Sequence, residues 1–248
     1  MNPSDFDSCV QLVIEHDRPI FLRCCLESLR RAGWRWPIVV CLDGPVSKRT
    51  EKLCKGLADE WIVFKERMGC VKHVSRALQH AVSFGTKYVC WMPGDAIVRK
   101  DALKIVLDDQ RPGTIGSLIR TMKDREEYWY SNLGSLAEAR IVEGIVDYIE
   151  SREWEWKPRP GFGGQLIVPE YEMDDAIITR YFILNGILTR WARVSTVGHI
   201  GVTGMHSNER HYLERYAGHD PTEWLGIAAK MFNPKETTTF CPPDFVFC

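Results

Sequence analysis

The sequence lacks the glycine-rich signatures that most often hold nucleotide phosphates in proteins. Neither GxGxxG nor GxxxxGK[ST] occurs in its 248 residues. Dinucleotide binding and P-loop chemistry in their usual forms are therefore not expected. If the protein binds phosphates, it must hold them in some other way.

Long apolar runs and a large charge imbalance are also missing. No run of 18 apolar residues occurs, and the N-terminus has no basic segment followed by an apolar one. We therefore expect neither a membrane span nor a signal peptide. Lysine and arginine number 32 against 33 acidic residues, a net charge of -1. Bulk charge thus gives no attraction to nucleic acid or to an anionic membrane.

The nine cysteines form no CxxC pair and are odd in number. Most fall inside apolar runs, which favours buried free thiols in a reducing compartment over a disulfide framework. Cys70 and His73 have the spacing of metal ligands, but no second pair accompanies them. Zinc binding is therefore not favoured at that position.

Apolar runs and helical patterns alternate along the first 110 residues. Runs typical of buried strands occur at 10–15, 37–42, 61–64 and from Tyr88 to Pro93, with helical spacing at 19–32, 47–58 and 70–84 between them. This alternation predicts an α/β protein with a mainly parallel sheet flanked by helices. Further on, Leu136–Ile149 and Ile177–Leu188 have helical spacing, 114–120 is a strand candidate, and 151–164 is predicted as a loop.

Charged residues follow three of the predicted strands. Arg18 comes after the first, Asp43 after the second and Asp95 after the strand that ends at Pro93. Because parallel strands share one carboxyl edge, these side chains are expected to converge there. An arginine can pair with a phosphate, and an aspartate can bind a divalent cation or accept an N–H group. Alternatively, each is simply a turn or cap residue.

These segments resemble the nucleotide-sugar half of inverting glycosyltransferases of GT-A fold, the family 2-like and N-acetylglucosaminyltransferase I-like enzymes. The resemblance is carried by Val13–Pro19, by Ile38–Gly44 and by Pro93–Leu103, which is similar to a DxD region. It implies a GT-A-type, Rossmann-like sheet with a C-terminal acceptor-side portion. In that resemblance Pro93 stands where the first acid of the DxD region is expected.

The resemblance also implies roles for individual residues. Asp43 would bind the uracil, Arg18 the nucleoside side of the donor and Asp95 a divalent cation, Mn²⁺ or Mg²⁺. His206 and His199 would contact the cation or the diphosphate. The further donor-binding positions are Gly69, Lys72, Gly94 and Gly163.

The adjacent acids Asp174 and Asp175 resemble the pair that supplies the catalytic base. Inverting transfer needs a carboxylate to accept the proton of the acceptor hydroxyl. Neighbouring carboxylates also repel, which raises one pKa. Which of the two is the base stays open, as does the alternative that both only stabilise the first turn of a helix.

The sequence therefore predicts a metal-dependent glycosyltransferase that moves a sugar from a nucleotide sugar, expected to be a UDP-sugar, to a glycan or other hydroxyl acceptor with inversion. The alternatives are a non-catalytic sugar-nucleotide-binding relative and a transferase acting on modified DNA bases, although the near-neutral charge argues against nucleic acid. One domain is expected, with a donor half at 8–110, an acceptor half at 111–210 and an extension at 211–248. The missing anchor and reduced thiols favour a cytoplasmic protein of bacterial or viral origin.

Overall fold

The structure is a computed structural model. It describes residues 8–16, 18–99, 101–118, 130, 134–152, 159–160, 166–167, 174–192 and 196–199.

Strands and helices alternate through the first half of the chain, as the sequence predicts. The helices are α1 (Pro19–Arg31), α2 (Lys48–Cys54), α3 (Cys70–Ser83), α4 (Ala102–Asp109), α5 (Ala139–Ser151) and α6 (Asp174–Asn185). The strands are β1 (Cys9–Glu15), β2 (Ile38–Leu42), β3 (Glu60–Val63), β4 (Tyr88–Pro93), β5 (Ala96–Val98), β6 (Ile115–Ser117), β7 (Ser135–Glu138), β8 (Arg159–Pro160), β9 (Leu166–Ile167), β10 (Thr189–Trp191) and β11 (Val197–His199).

Seven strands form the central sheet, in the order β10-β6-β7-β4-β1-β2-β3. All neighbours are parallel except β7, which runs antiparallel to both β4 and β6. Strands β5 and β11 form a separate antiparallel pair, and so do β8 and β9. The protein is thus an α/β protein with a mainly parallel mixed sheet, compatible with a Rossmann-like fold.

The order of strand addition reverses next to β1. The chain first adds β2 and β3 on one side of β1 and then crosses over to add β4 on the other side. In open α/β sheets, ligands bind outside the carboxyl ends of the strands at such a switch point. The ends of β1 and β4 are therefore the place to look for a site.

Helices cover both faces of this sheet, so its central strands are buried on each side. Side chains of α1, α2 and α4 pack on one face, and those of α3, α5 and α6 pack on the other. Alternate residues of β1, such as Val13 and Leu12, enter opposite layers. This double burial explains why β1, β2 and β4 are nearly continuous apolar runs.

The predicted helix from Leu136 is wrong at its beginning. Residues Ser135–Glu138 form β7, in which Leu136 pairs with Cys90 of β4 and with Gly116 of β6. Leu136 is fully buried between these strands. Its spacing from the apolar residues of α5 is therefore coincidental, and the helix begins at Ala139.

Three other predicted bounds are corrected. Helix α2 stops at Cys54 because Lys55 is extended and Gly56 has a φ of 75°. Helix α6 begins at Asp174 and ends at Asn185, before Gly186 with its φ of 63°. Within the predicted loop at 151–164, Arg159–Pro160 pairs with Leu166–Ile167.

The predicted donor and acceptor halves contribute strands to the same sheet, because β6, β7 and β10 follow residue 110 in the chain. All seven cysteines within the described residues are free, and five of them are buried. No described helix has the length and apolar character needed to cross a membrane.

Candidate functional site

Three charged side chains meet at the carboxyl ends of β1 and β4. Arg18 donates from Nε to Glu15 Oε1 at 2.7 Å and from Nη2 to Glu15 Oε2 at 2.9 Å. Its Nη1 donates to Asp95 Oδ2 at 2.8 Å. The Glu15 side chain is fully buried and that of Asp95 is 6% exposed. We call Glu15, Arg18 and Asp95 the switch-point cluster.

The fold brings the cluster together from positions 77 residues apart in the chain. Strands β1 and β4 are parallel neighbours, and Ile14 is in register with Pro93. Just beyond the strands, the Gly94 backbone N–H donates to the Ile14 carbonyl at 2.9 Å. The predicted convergence of Arg18 and Asp95 is therefore a direct ion pair.

The Arg18 side chain is partly exposed to solvent. The side chain is 28% exposed, whereas both of its acidic partners are buried. A guanidinium carries five N–H groups, and the switch-point cluster uses three of them. Two N–H groups thus make no bond to a described residue.

Glu15 is the member of the cluster that the sequence analysis missed. Burial raises the pKa of its carboxyl to about 7, Arg18 opposes this shift, and the nearby Asp95 adds to it. One signal was available, because Glu15 is a charged residue directly continuing an apolar strand. An acid at that position is buried unless the strand ends before it.

Asp43 lies at the same edge, after β2, but it holds backbone groups. Its Oδ1 accepts the Met68 N–H at 2.7 Å, and its Oδ2 accepts the Gly69 N–H at 3.3 Å. These bonds fix the loop that precedes α3, where Gly69 has a φ of 82°. A carboxylate has about four lone-pair sites, so Asp43 can still accept a bond from a ligand.

Lys72 does not join these residues. It is exposed on the first turn of α3. It makes no hydrogen bond or ion pair with another described residue.

Two histidines lie close enough to this edge for its charged residues to affect their pKa values. The pKa of His16 is lowered by burial and by the charges of Arg18 and Arg67, whereas Asp43 and Asp95 oppose the shift. The pKa of His73 is lowered to about 4, mainly by burial. His73 is therefore neutral at pH 7. Its Nε2 has no hydrogen-bond partner among the described residues.

The N-termini of α3 and α6 meet beside this edge. Cys70, the first residue of α3, donates from Sγ to Asp174 Oδ1 at 3.2 Å, and Asp174 is the first residue of α6. Asp174 is 3% exposed. Burial raises the pKa of Asp174 to about 6, and the charge of Asp175 adds to the shift. Asp175 is half-buried, and its Oδ1 accepts the Ala176 N–H at 2.8 Å.

A buried tyrosine connects helix α6 to the sheet. Tyr130 is 1% exposed, and its hydroxyl accepts the Trp91 Nε1–H of β4 at 2.7 Å. Its backbone N–H donates to Thr179 Oγ1 of α6 at 3.0 Å. Burial first, and then the charge of Asp174, raise the pKa of the Tyr130 hydroxyl. Tyr130 therefore links β4 to the first turns of α6.

Of the remaining predicted site residues, the structure describes some and not others. The backbone of His199 pairs with Ala96, the residue after Asp95, so β11 lies next to the switch-point cluster. Gly163 and His206 lie outside the described residues.

A divalent cation fits this edge only if the substrate supplies some of its ligands. Among the described residues, no group of three or more His, Cys, Asp or Glu side chains is placed to hold a metal. Mg²⁺ is nevertheless commonly bound by one or two carboxylates together with substrate phosphates. Asp95 is a carboxylate of that kind at the edge of the sheet.

No protein-family model matches the chain, and no curated protein sequence matches it significantly.

Proposed function

We propose that this protein is a glycosyltransferase of GT-A type that transfers a sugar from a UDP-sugar to an acceptor hydroxyl with inversion. The observation that carries the proposal is the position of the Arg18–Asp95 ion pair at the switch point of the sheet. An arginine at that point, with its side chain partly exposed, can bind the diphosphate of a nucleotide.

The rest of the edge supplies what such a donor needs. Asp43 fixes the loop before α3 and has acceptor capacity for the imide N–H of uracil. Asp95, with His199 next to it, would hold a divalent cation. When bound, that cation would neutralise charge on the departing diphosphate. Arg18 would orient the same diphosphate through its two remaining N–H groups.

On the acceptor side, the acidic pair at the start of α6, Asp174 and Asp175, would supply the catalytic base. A carboxylate there would accept the proton of the attacking hydroxyl while the acceptor oxygen bonds to the anomeric carbon. The bond between that carbon and the diphosphate breaks, and UDP leaves with the electron pair. The acid needs a pKa near the working pH, a requirement that Asp174 meets with its value of about 6.

A thermal-shift screen of nucleotides and nucleotide sugars, with and without Mn²⁺, tests the donor class. A ligand that binds only the folded state raises the melting temperature. We expect UDP and UDP-sugars to raise it more than the ADP, GDP or CDP counterparts. Equal shifts for all nucleotides, or none for any, would argue against the proposal.

A second candidate function is a non-catalytic UDP-sugar-binding protein. Pro93 in place of an acid, together with the neutralisation of Asp95 by Arg18, favours it. Hydrolysis of the donor in the presence of Mn²⁺ separates the two. Turnover supports the transferase, and UDP binding without any turnover supports the binding protein.

A further inference from the structure

The switch-point cluster carries more negative than positive charge. Glu15 and Asp95 are both acids, and Arg18 is the one base that they share. Two negative charges therefore face one positive charge at the point where the donor diphosphate is proposed to bind. Such a cluster attracts a cation more readily than it attracts a free anion.

The described groups around the cluster leave this balance unchanged. On the side of β2, Asp43 and Arg67 both act on the His16 ring, and they contribute one charge of each sign. His16 itself is neutral at pH 7, because partial burial and the charges of the two nearby arginines lower its pKa. On the side of α1, burial and the charge of Glu15 raise the pKa of the Cys25 thiol well above neutral pH, so it is neutral too. The cluster and these neighbours together thus keep one excess negative charge.

The hydrogen bonds of Glu15 are those of an ionised carboxylate. Its Oε1 accepts the Arg18 Nε–H and the His16 backbone N–H, both at 2.7 Å, and its Oε2 accepts an Arg18 Nη2–H at 2.9 Å. A protonated carboxyl would need an acceptor for its hydrogen, whereas these contacts place a donor at each oxygen. The negative charge of Glu15 is therefore part of the contact geometry.

Burial makes this charge effective at the neighbouring positions. The Glu15 side chain is fully buried behind Gly94, where an added Cβ would lie 2.5 Å from Glu15 Oε2. Salt screens buried charges much less than charges on the surface. The Glu15 carboxylate therefore offsets the positive charge that Arg18 offers to an anion, and it strengthens the attraction of the edge for a cation.

We propose that Glu15 is a specificity-determining residue, whose charge makes the donor site accept a nucleotide diphosphate as its complex with a divalent cation and reject the free anion. This inference rests on the proposed function, which assigns the cation to Asp95 and the diphosphate to Arg18. A free diphosphate meets a site that is already net negative. The cation complex brings the positive charge that the cluster lacks. Glu15 touches neither ligand and acts through its charge.

Substitution of Glu15 by glutamine tests this role, because it removes the charge and keeps the size of the side chain. Calorimetric titration of UDP with Mn²⁺ and with a chelator gives the ratio of the two affinities, and pH 8 keeps Glu15 ionised because its pKa is about 7. We expect Glu15→Gln to lower this ratio by roughly 10-fold, since the free anion is repelled less and the cation is attracted less. Glu27→Gln removes an acid that pairs with Arg23 on the exposed face of α1, and it should keep the ratio of wild type.

The ratio separates an effect of charge from a structural effect. A substitution that only misplaces Arg18 would weaken UDP binding by a similar factor with and without the cation, and the ratio would stay that of wild type. A ratio in Glu15→Gln that is equal to that of wild type, or higher, therefore overturns the inference.

Wild-type protein provides a second test, which holds even if Glu15→Gln does not fold. Uridine has no phosphate, so its affinity measures the base and ribose contacts alone. With a chelator, we expect UDP to bind less than about 5-fold more tightly than uridine, because the diphosphate gains little at a net negative site. A larger gain without the cation would overturn the inference. With Mn²⁺ present, UDP should bind at least about 10-fold more tightly than uridine.

These binding measurements also keep the two proposals apart. If wild type binds UDP with Mn²⁺ and Glu15→Gln has the same ratio of affinities, the proposed donor site stands and the role of Glu15 fails. If wild type binds neither uridine nor UDP under either condition, the proposed function fails and the inference fails with it.

Discussion

Gly94 lies so close to the Glu15 side chain that no larger residue fits between β4 and the switch-point cluster. A Cβ added at residue 94 would lie 2.5 Å from Glu15 Oε2 and 2.8 Å from its Cβ and Cγ. The φ of Gly94 does not lie in the left-handed region. Space for Glu15, and not backbone conformation, is therefore what requires glycine here.

Gly94→Ala should displace Glu15 and disturb its bonds to Arg18. We expect the free energy of unfolding to fall by about 1–3 kcal/mol, the usual cost of overpacking. Urea denaturation measures it. The double variant with Glu15→Ala should lose clearly less than the sum of the single variants, because the two residues share one contact. Additive losses would mean that the clash is relieved elsewhere.

Arg18→Gln should be strongly destabilising, because it leaves the buried carboxylates of Glu15 and Asp95 without their cation. Removing one partner of a buried ion pair typically costs about 3–5 kcal/mol. The partial exposure of Arg18 places our expectation at the lower end of that range. Arg23→Gln is the matched control, since Arg23 pairs with Glu27 on the exposed face of α1 and should cost under about 1 kcal/mol. Equal losses in the two variants would contradict the buried cluster.

Asp43→Ala should release the backbone groups that its carboxylate holds. We expect the amide hydrogens of Met68 and Gly69 to exchange faster with solvent, while amides in the core of α3 keep their protection. Hydrogen exchange followed by NMR measures each amide separately. Unchanged exchange at Met68 would show that Asp43 does not fix this loop.

Asp174→Asn should alter how stability depends on pH. The folded-state pKa of Asp174 is raised from 3.8 to about 6, so the folded state binds more protons than the unfolded state between these values. Stability from this group is therefore present below pH 4 and lost as the pH rises through 6. The free energy of unfolding of the asparagine variant, measured relative to wild type, should be up to about 3 kcal/mol higher at pH 7 than at pH 4. This value corresponds to a pKa shift of about two units.

Denaturation of both proteins at several pH values between 4 and 7 checks this prediction. Asp175→Asn is the control, and it should change the pH dependence less. Parallel curves for wild type and Asp174→Asn would mean that Asp174 is not held in a buried site.

Much of the sheet could be predicted from sequence, because buried parallel strands leave a local signal. The runs of β1, β2 and β4 are apolar since both of their faces are covered. Strand β7 left no such signal, because Leu136 happens to continue the helical spacing of α5. Strand β7 lies antiparallel between β4 and β6 because it pairs with residues that are distant in the chain. The spacing of apolar residues along the sequence does not indicate such pairing.

The candidate site was predictable only where its residues follow strands. Arg18, Asp43 and Asp95 were found because each stands shortly after the end of an apolar run. Glu15 was missed because it continues such a run, and the contact of Cys70 with Asp174 depends on how α3 and α6 pack. The structure places these residues at one edge, while the uracil, cation and diphosphate contacts stay predictions.

Calorimetric titration of UDP into the protein tests the central claim, that the switch-point cluster binds a nucleotide diphosphate together with a cation. Wild type should bind UDP more tightly with Mn²⁺ than with a chelator. Asp95→Asn should remain folded and lose that gain, by roughly 10-fold or more in affinity, while Asp108→Asn on the exposed surface of α4 should behave as wild type. If Asp95→Asn binds UDP with Mn²⁺ as tightly as wild type, or if wild type does not bind UDP, the account is contradicted.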